Sequence, residues 1–166
     1  MAIAINNPYP KNSAHYPIWE MCVRRDLEGF LAADWSMCEA DFVADGFIGW
    51  DGHHTANPLK WTVTYPHLES YKEAWLKGAQ DFQKNSIPDN IHEQLYALVS
   101  LVRIELGDET GIVHKKFTGH VEFKDQSKQS LNWQSIFYLR KIQGMWRQAG
   151  FIGYLPLDLG SATEIA

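Results

Sequence analysis

Hydrophobic residues recur at helical spacing near the start of the chain. Trp19, Val23, Leu27 and Phe30 share one face of residues 16–33, which predicts an amphipathic helix. Residues 34–41 predict a second, short helix, and residues 67–84 predict a longer one that the segment "NSIPDN" ends. The first half of the chain is therefore mainly helical.

The second half of the chain is typical of β-structure. Short turns separate four hydrophobic segments, at 95–106, 112–123, 130–142 and 145–155, which predicts an antiparallel meander. An earlier strand is predicted within 42–51, followed by an ordered loop or partial strand. Helices followed by strands indicate an α+β fold, in which N-terminal helices cover a cone-shaped, curved antiparallel sheet. Such a cone usually keeps a cavity at its wide end.

The composition indicates one globular domain with many large rings. The chain has 166 residues, of which 45% are hydrophobic and 13% aromatic. We expect an extended N-terminal arm at 1–15, a single domain at 16–156 and a C-terminal tail at 157–166.

The charge distribution excludes several classes of partner. The net charge is −5 and the basic residues are scattered, so we expect no nucleic-acid partner. The N-terminal segment predicts no signal peptide, and no apolar run is long enough for a membrane span. Cys22 and Cys38 alone make neither a disulfide framework nor a zinc site. We therefore expect a cytoplasmic protein with reduced thiols.

Two segments resemble the nuclear transport factor 2-like superfamily. "AADWSMCEADFVADGFIGWDG" is similar to its second helix and first strand, and "FYLRKIQGMWRQAGF" to its last hairpin. The resemblance covers roughly residues 16 to 155 and implies a cystatin-like cone. It also implies a homodimer that pairs through the open face of the sheet.

Within that superfamily the chain resembles scytalone dehydratase and its SnoaL-like relatives. "CVRRDLEGFLAADW", "VHKKFTGHVEFKD" and "RKIQGMWRQAG" carry this resemblance. It places His92 and His114 at the two catalytic histidines. Leu31 stands where that enzyme has an orienting aspartate, and its two tyrosines fall at Phe30 and at Trp50 or Asp51. The dehydratase mechanism therefore does not transfer whole.

The steroid isomerase branch offers a second comparison. Asp51 aligns with the aspartate that shuttles the proton in that branch. The two oxyanion donors fall near Asp26 and near Ile136 or Phe137, and neither position supplies the donor type used there.

Two carboxylates are candidates for acid–base chemistry. Asp51 ends a strand at the expected cavity mouth, where partial burial would make it a stronger base; the alternative is a solvated turn acid. Asp26 falls on the buried face of the first helix, so it needs a partner or a proton. His114 is one candidate partner, and a structural ion pair with Arg24, Arg25 or an arginine of the sheet is the alternative.

The histidines are the remaining candidates. His92 and His114 could exchange protons near neutral pH. His114 and His120 share one face of the predicted strand 112–123, and the sequence leaves open whether that face meets the cavity or solvent. His53 and His54 lack further ligands at recognisable spacing, so we expect no metal and no cofactor.

We expect aromatic residues and one histidine to contact a small hydrophobic or aromatic ligand. These residues are Phe30, Trp35, Trp50, Tyr96, His120, Trp133 and Trp146.

The leading hypothesis is a small cofactor-independent lyase, isomerase or cyclase. Asp51 or the His92 and His114 pair would abstract a proton next to a carbonyl, with Asp26 as a further catalytic candidate. The alternatives are a non-catalytic ligand-binding or dimeric interaction domain, and an accessory subunit of a ring-hydroxylating dioxygenase.

Overall fold

The computed structural model describes residues 5–158, and its first layer is helical. Tyr16–Trp19 (α1), a π-helical stretch at Glu20–Arg25 and Asp26–Ala32 (α2) follow one another without a break. Pro17 lies in the first turn, where the helix does not need its missing N–H. Ala33, in the left-handed conformation, ends the segment.

Short turns and two further helices complete this layer. The predicted helix at 34–41 is two 3₁₀ turns, Trp35–Met37 and Glu39–Asp41. The long helix is Leu68–Gln83 (α3), close to the predicted 67–84, and a capping box formed by His67 and Ser70 starts it. A shorter helix at Ile91–Leu98 (α4) lies where the sequence predicted the start of a strand.

The sheet has six strands in the described part of the chain. With a separate two-stranded hairpin, the strands in chain order are Ile48–Asp51 (β1), Thr62–Tyr65 (β2), Val99–Leu106 (β3), Thr110–Phe117 (β4), His120–Glu122 (β5), Lys128–Ser130 (β6), Trp133–Ile142 (β7) and Met145–Leu155 (β8). The order in the sheet is β2-β1-β8-β7-β4-β3, and β5 and β6 form the hairpin.

The predicted α+β architecture is confirmed, with two differences. The first strand pairs in parallel with the last, so the sheet is mixed rather than wholly antiparallel. The predicted strand at 112–123 divides near Gly119, whose φ of 129° ends the extended run and turns the chain into the small hairpin.

The helices cover the inner face of the curved sheet in two hydrophobic clusters. One surrounds Trp35, Phe47 and Phe151, and the other surrounds Val23, Leu95 and Phe117. The register between β7 and β8 shifts twice, once near Gln134 and once near Leu139. Extra residues of this kind bend a strand and increase its twist, which helps the sheet to wrap around the helices.

The described part of the N-terminal arm is tied to the helices. The Asn7 side chain donates to the Tyr16 carbonyl, and Arg24 donates to the Ile5 carbonyl. The domain boundaries stay a prediction, since residues 1–4 of the arm and 159–166 of the tail lie outside the described residues. Within residues 5–158, no helix is both long and apolar enough to cross a membrane.

Candidate active site

A cavity of about 380 Å³ lies between the helices and the inner face of the sheet. α2 and α3 form one wall, and β4, β7 and β8 form the other. Aromatic rings make up much of the lining: Phe30, Tyr71, Trp75, Phe82, Phe117, Trp133, Phe137, Phe151 and Tyr154. The volume and the apolar lining are typical of a site for a small organic ligand.

An ion pair lies in the wall of this cavity. The Nζ of Lys115 is 2.7 Å from Oδ2 of Asp26. The lysine side chain is only 4% exposed and the aspartate side chain 22%. Trp75 donates its indole N–H to Oδ1 of Asp26 at 3.2 Å, so each carboxylate oxygen accepts one hydrogen bond. Burying two charges costs considerable free energy of desolvation. Their mutual attraction and the added hydrogen bonds offset this cost.

The main chain of the π-helical stretch also holds the lysine. Lys115 donates to the carbonyl oxygen of Cys22 at 2.6 Å, and its Nζ lies 5.1 Å from the centre of the Phe117 ring. An ammonium group has three N–H donors, and the bonds to Asp26 and Cys22 account for two of them. The third has no partner among residues 5–158, and it is available to a ligand in the cavity.

Strand alternation explains why Lys115 points inward. Val113 and Phe117 are buried on the inner face of β4, and Lys115 lies between them at the same period. On the helical side, Asp26 follows the π-helical turn and lies on the face that carries Val23 and Leu27. The fold therefore brings together a carboxylate and an ammonium from residues 89 positions apart.

Several polar groups of the lining have no hydrogen-bond partner among the described residues. They include the side chains of Gln148, Ser135 and Tyr71. Burial raises the pKa of Tyr71 well above its ordinary value, and burial raises the pKa of Tyr154 to about 12. Both phenols are therefore protonated at neutral pH and can donate a hydrogen bond.

The thiols are unsuited to nucleophilic catalysis. Burial raises the pKa of Cys22, at the cavity edge, to about 12, and burial also raises the pKa of Cys38. Both cysteines are free and buried. Because the thiolate is the nucleophile, these residues serve packing.

Asp51 does not line the cavity. Its carboxylate accepts the backbone N–H of His53 at 2.7 Å and lies 3.5 Å from Nδ1 of the same histidine. This is turn chemistry at the end of β1, and the imidazole of His53 continues it by bonding Thr62 at 2.7 Å. The structure thus places the Asp51 carboxylate in a turn, which is the alternative to a cavity position that the sequence left open.

His92 lies on the surface at the start of α4. Its Nε2 is 3.1 Å from Oε2 of Glu28, and the hydroxyl of Tyr96 donates to the other oxygen of that glutamate at 2.8 Å. Neither His92 nor Tyr96 lines the cavity. Burial and the hydrogen bond to Glu28 both raise the pKa of Tyr96, with burial the larger cause.

His114 points away from the cavity, on the outer face of β4. Partial burial is the main cause that lowers its pKa below the ordinary 6.5, and the nearby Arg103 guanidinium adds to it. His120 is exposed at the start of β5. The structure therefore does not bring Asp51, His92 and His114 together around this cavity, and their roles as bases stay a prediction.

Only some of the residues expected to contact a ligand line the cavity. Phe30 and Trp133 line the cavity. Trp35 is buried in the core, where it stacks on Phe42 at 4.9 Å between ring centres. Trp50 is 38% exposed on the outer face of the sheet, and Trp146 packs beside the first cluster with Lys141 over its ring.

Asp26 is the catalytic candidate that the structure does place in the cavity wall. The sequence predicted its inward position and its need for a partner, but the partner is Lys115 rather than His114. The arginines named as alternatives are occupied elsewhere: Arg24 pairs with Glu20, and Arg25 with Asp41. Sequence reasoning missed Lys115, although its place between Val113 and Phe117 on an inward face was a readable signal.

No group of three or more histidine, cysteine or acidic side chains in the described ranges could hold a metal ion. A more open groove of about 590 Å³ lies beside β3, β4 and β7 and is lined by Glu105, Tyr138 and Arg140 among others. It contains no buried pair of acid and base, so the cavity between helices and sheet is the candidate site.

Comparisons with known proteins identify the fold. No protein-family model matches the sequence, and no curated protein sequence matches it. Among solved structures, Aln2 from a Streptomyces species is similar, with a TM-score of 0.58 at 14% identity over 87% of this chain and 91% of that one. An NTF2-like protein with a cystatin-like fold from Novosphingobium aromaticivorans gives 0.53 at 12% identity over 89% and 83%.

A third similar structure supports the same conclusion. It is an NTF2-like protein of unknown function from Shewanella baltica, with a TM-score of 0.50 at 13% identity over 84% of this chain and 90% of that one. At these identities the likeness establishes architecture alone. The chain has the nuclear transport factor 2-like, cystatin-like fold that its sequence predicted.

Proposed function

We propose that this protein is a small cofactor-independent enzyme that isomerises, cyclises or dehydrates a hydrophobic, ring-bearing carbonyl compound. The observation that carries the proposal is the Asp26–Lys115 pair in the wall of a ring-lined cavity of about 380 Å³. Such a volume accommodates a ligand of two or three fused rings.

The pair supplies the two functions that proton abstraction next to a carbonyl requires. A carboxylate oxygen of Asp26 takes the proton as the C–H bond breaks, and the electron pair moves onto the carbonyl oxygen. An N–H of Lys115 donates to that oxygen and stabilises the enolate. Each oxygen of Asp26 keeps a second lone pair besides the one used by Lys115 or Trp75.

The three named reactions differ only in what the enolate does next. Return of the proton to another carbon isomerises the substrate. Attack of the carbanion on a second carbonyl closes a ring. Departure of a hydroxyl group with a proton gives an alkene and water. The rings around the cavity exclude water and hold the substrate flat against the pair.

A deuterium-exchange experiment tests this proposal. α-Tetralone is incubated with the protein in D₂O, and NMR follows loss of the protons next to its carbonyl. We expect catalysed exchange that Asp26→Asn reduces by about 10²–10⁴-fold. Lys115→Met should also reduce it, whereas His114→Gln and Asp51→Asn, at the other predicted bases, should leave it unchanged.

Two results would contradict the proposed base. Exchange that survives Asp26→Asn but disappears in Asp51→Asn, His92→Gln or His114→Gln would return catalysis to the residues that the sequence singled out. Circular dichroism of every variant controls for unfolding. Ligand binding without any exchange would instead support the rival function, a ligand-binding domain without catalysis.

The outer face of the sheet favours one of the alternative functions, a dimeric interaction domain. The outer face of the sheet exposes large hydrophobic side chains, with Ile48 45%, Trp50 38% and Tyr138 43% exposed. An apolar face of this kind supports the predicted homodimer through the sheet. Sedimentation of the wild type against Tyr138→Lys checks it: the variant should be monomeric, and a wild-type monomer would remove this support.

A further inference from the structure

Gln148 is a buried residue whose amide borders the cavity. It is 4% exposed, it lines the cavity, and its side chain makes no hydrogen bond to any residue in 5–158. Gln134 is equally buried, yet its amide donates to the carbonyls of Pro156 and Leu157 at 3.0 and 3.2 Å. The one fully buried side-chain nitrogen or oxygen without a partner in residues 5–158 is Nε of Arg147, so the amide of Gln148 is in contact with the cavity space, where a ligand can pair with it.

A β-bulge aims this side chain into the cavity. Leu139 faces Gln148 across the strands, while the preceding Tyr138 faces Gly150, so Ala149 is an extra residue in β8. Strict alternation would put Gln148 and Phe151 on opposite faces. The extra residue restores them to the same inner face, and bulges next to active sites re-aim side chains in this way.

Gln148 and the Asp26–Lys115 ion pair lie at different levels along the strands of the sheet. Lys115 faces Ser135 on β7, whereas Gln148 faces Leu139, four residues further along the same strand. Four residues of strand span roughly 13 Å, and the long lysine and glutamine side chains shorten the gap between their polar atoms. The inner-face residue between these two levels is Phe137, an aromatic ring.

The polar–aromatic–polar order matches one class of ligand. A flat compound of at least two fused rings can rest its apolar centre on Phe137 and present an oxygen at each end. One oxygen is the carbonyl that meets Lys115 and Asp26. An amide both donates and accepts, so it can satisfy a phenolic hydroxyl completely.

We propose that Gln148 forms a second polar subsite, which binds an oxygen substituent on the ring far from the reacting carbonyl. The protein thereby selects fused-ring ketones that are oxygenated at both ends over ketones of the same size with a bare far ring. This inference rests on the proposed function, because it uses the same cavity and the same reacting end.

Matched ligands and variants test this subsite. The probes are α-tetralone and its analogue with a phenolic hydroxyl on the ring edge opposite the carbonyl, with affinity measured by calorimetry. We expect the wild type to bind the hydroxylated probe about 10-fold more tightly, the usual value of one buried hydrogen bond. Gln148→Leu should bring the two affinities within about 2-fold of each other.

Two controls keep the result specific. Gln80→Leu changes an exposed glutamine on α3 and should keep the preference. Gln129 also lines the cavity, so Gln129→Leu distinguishes Gln148 from the other glutamine there. If Gln129→Leu, and not Gln148→Leu, removes the preference, the assignment to Gln148 is overturned.

The remaining outcomes separate this inference from the proposed function. Equal wild-type affinities for the two probes overturn the subsite, and continued deuterium exchange on α-tetralone would then leave the proposed function standing. Absence of binding by both probes, together with absence of exchange, overturns both. A hydroxyl preference without exchange supports the subsite in a binding protein and contradicts the catalytic proposal alone.

Discussion

The two faces of β4 place neighbouring side chains in opposite surroundings. Lys115 points inward, contacts Asp26 and Cys22, and is 3% exposed. His114 points outward beside Arg103, where partial burial lowers its pKa. The residue with the more familiar catalytic chemistry is on the outside, and the residue usually found at surfaces is in the cavity wall. Strand register therefore decides which group can reach a ligand.

The largest effect should come from breaking the inner pair. Lys115→Met leaves the Asp26 carboxylate without its counter-charge at a largely buried position. We expect a loss of about 3 kcal/mol in the free energy of unfolding, measured by urea denaturation. Lys116→Met, one residue away on the outer face, is the matched control; it removes a hydrogen bond to the Leu157 carbonyl but no ion pair, and should cost only about 1 kcal/mol.

A double variant sharpens this prediction. Asp26→Asn combined with Lys115→Met removes both charges, so it should recover part of the stability that Lys115→Met loses. If the double variant is less stable than Lys115→Met alone, the cost arises from packing rather than from an uncompensated charge.

A smaller effect on stability should follow from changing Trp75, the other hydrogen-bond donor to Asp26. Trp75→Phe keeps an aromatic ring but removes the N–H that donates to Asp26. We expect a loss of at least about 1.5 kcal/mol, because a hydrogen bond to a charged group and the packing of the larger indole ring are both removed. Trp50→Phe, at a partly exposed ring on the outer face of the sheet, serves as control in the same denaturation assay, and an equal loss there would refute the explanation.

On the outer face of β4, we expect His114 to make the stability of the protein depend on pH. The pKa of His114 is lower in the folded protein than the ordinary 6.5, so the unfolded chain binds more protons between the two values. Its contribution to stability is therefore present above pH 6.5 and is lost as the pH falls through that window. His114→Gln should flatten this part of the stability curve, and an unchanged slope would contradict it.

The smallest effect is expected at the turn after β1. Asp51→Asn keeps an oxygen that can accept the backbone N–H of His53, and the site is partly exposed. Stability should change by less than about 0.5 kcal/mol. Thermal unfolding checks it, and a loss as large as that of Trp75→Phe would show that the carboxylate has a further partner.

The sequence predicted the fold well because its periodic signals are local. The helical face of Val23 and Leu27 and the long α3 were readable from spacing alone. The inward position of Asp26 followed from the same spacing, and so did its need for a partner. Resemblance in the first strand and last hairpin then indicated the architecture, which the similar solved structures confirm.

The site was less predictable because it depends on register between distant segments. Lys115 was accessible to the alternation argument, since Val113 and Phe117 flank it on the buried face. Gln148 was not, because strict alternation assigns it to the outer face and only the extra residue Ala149 turns it inward. His92 lies outside the cavity because the segment before β3 forms a helix, and no local sequence pattern revealed how that helix packs.

The π-helical stretch at Glu20–Arg25 determines which substitutions can release Lys115. One of the two anchors of the lysine ammonium is a carbonyl of the peptide chain, at Cys22, and not a side chain. Amino-acid replacement at that position alters the thiol but cannot delete the oxygen. A replacement of Asp26 therefore removes only one of the two anchors of the ammonium group, and the carbonyl oxygen of Cys22 continues to accept a hydrogen bond from it.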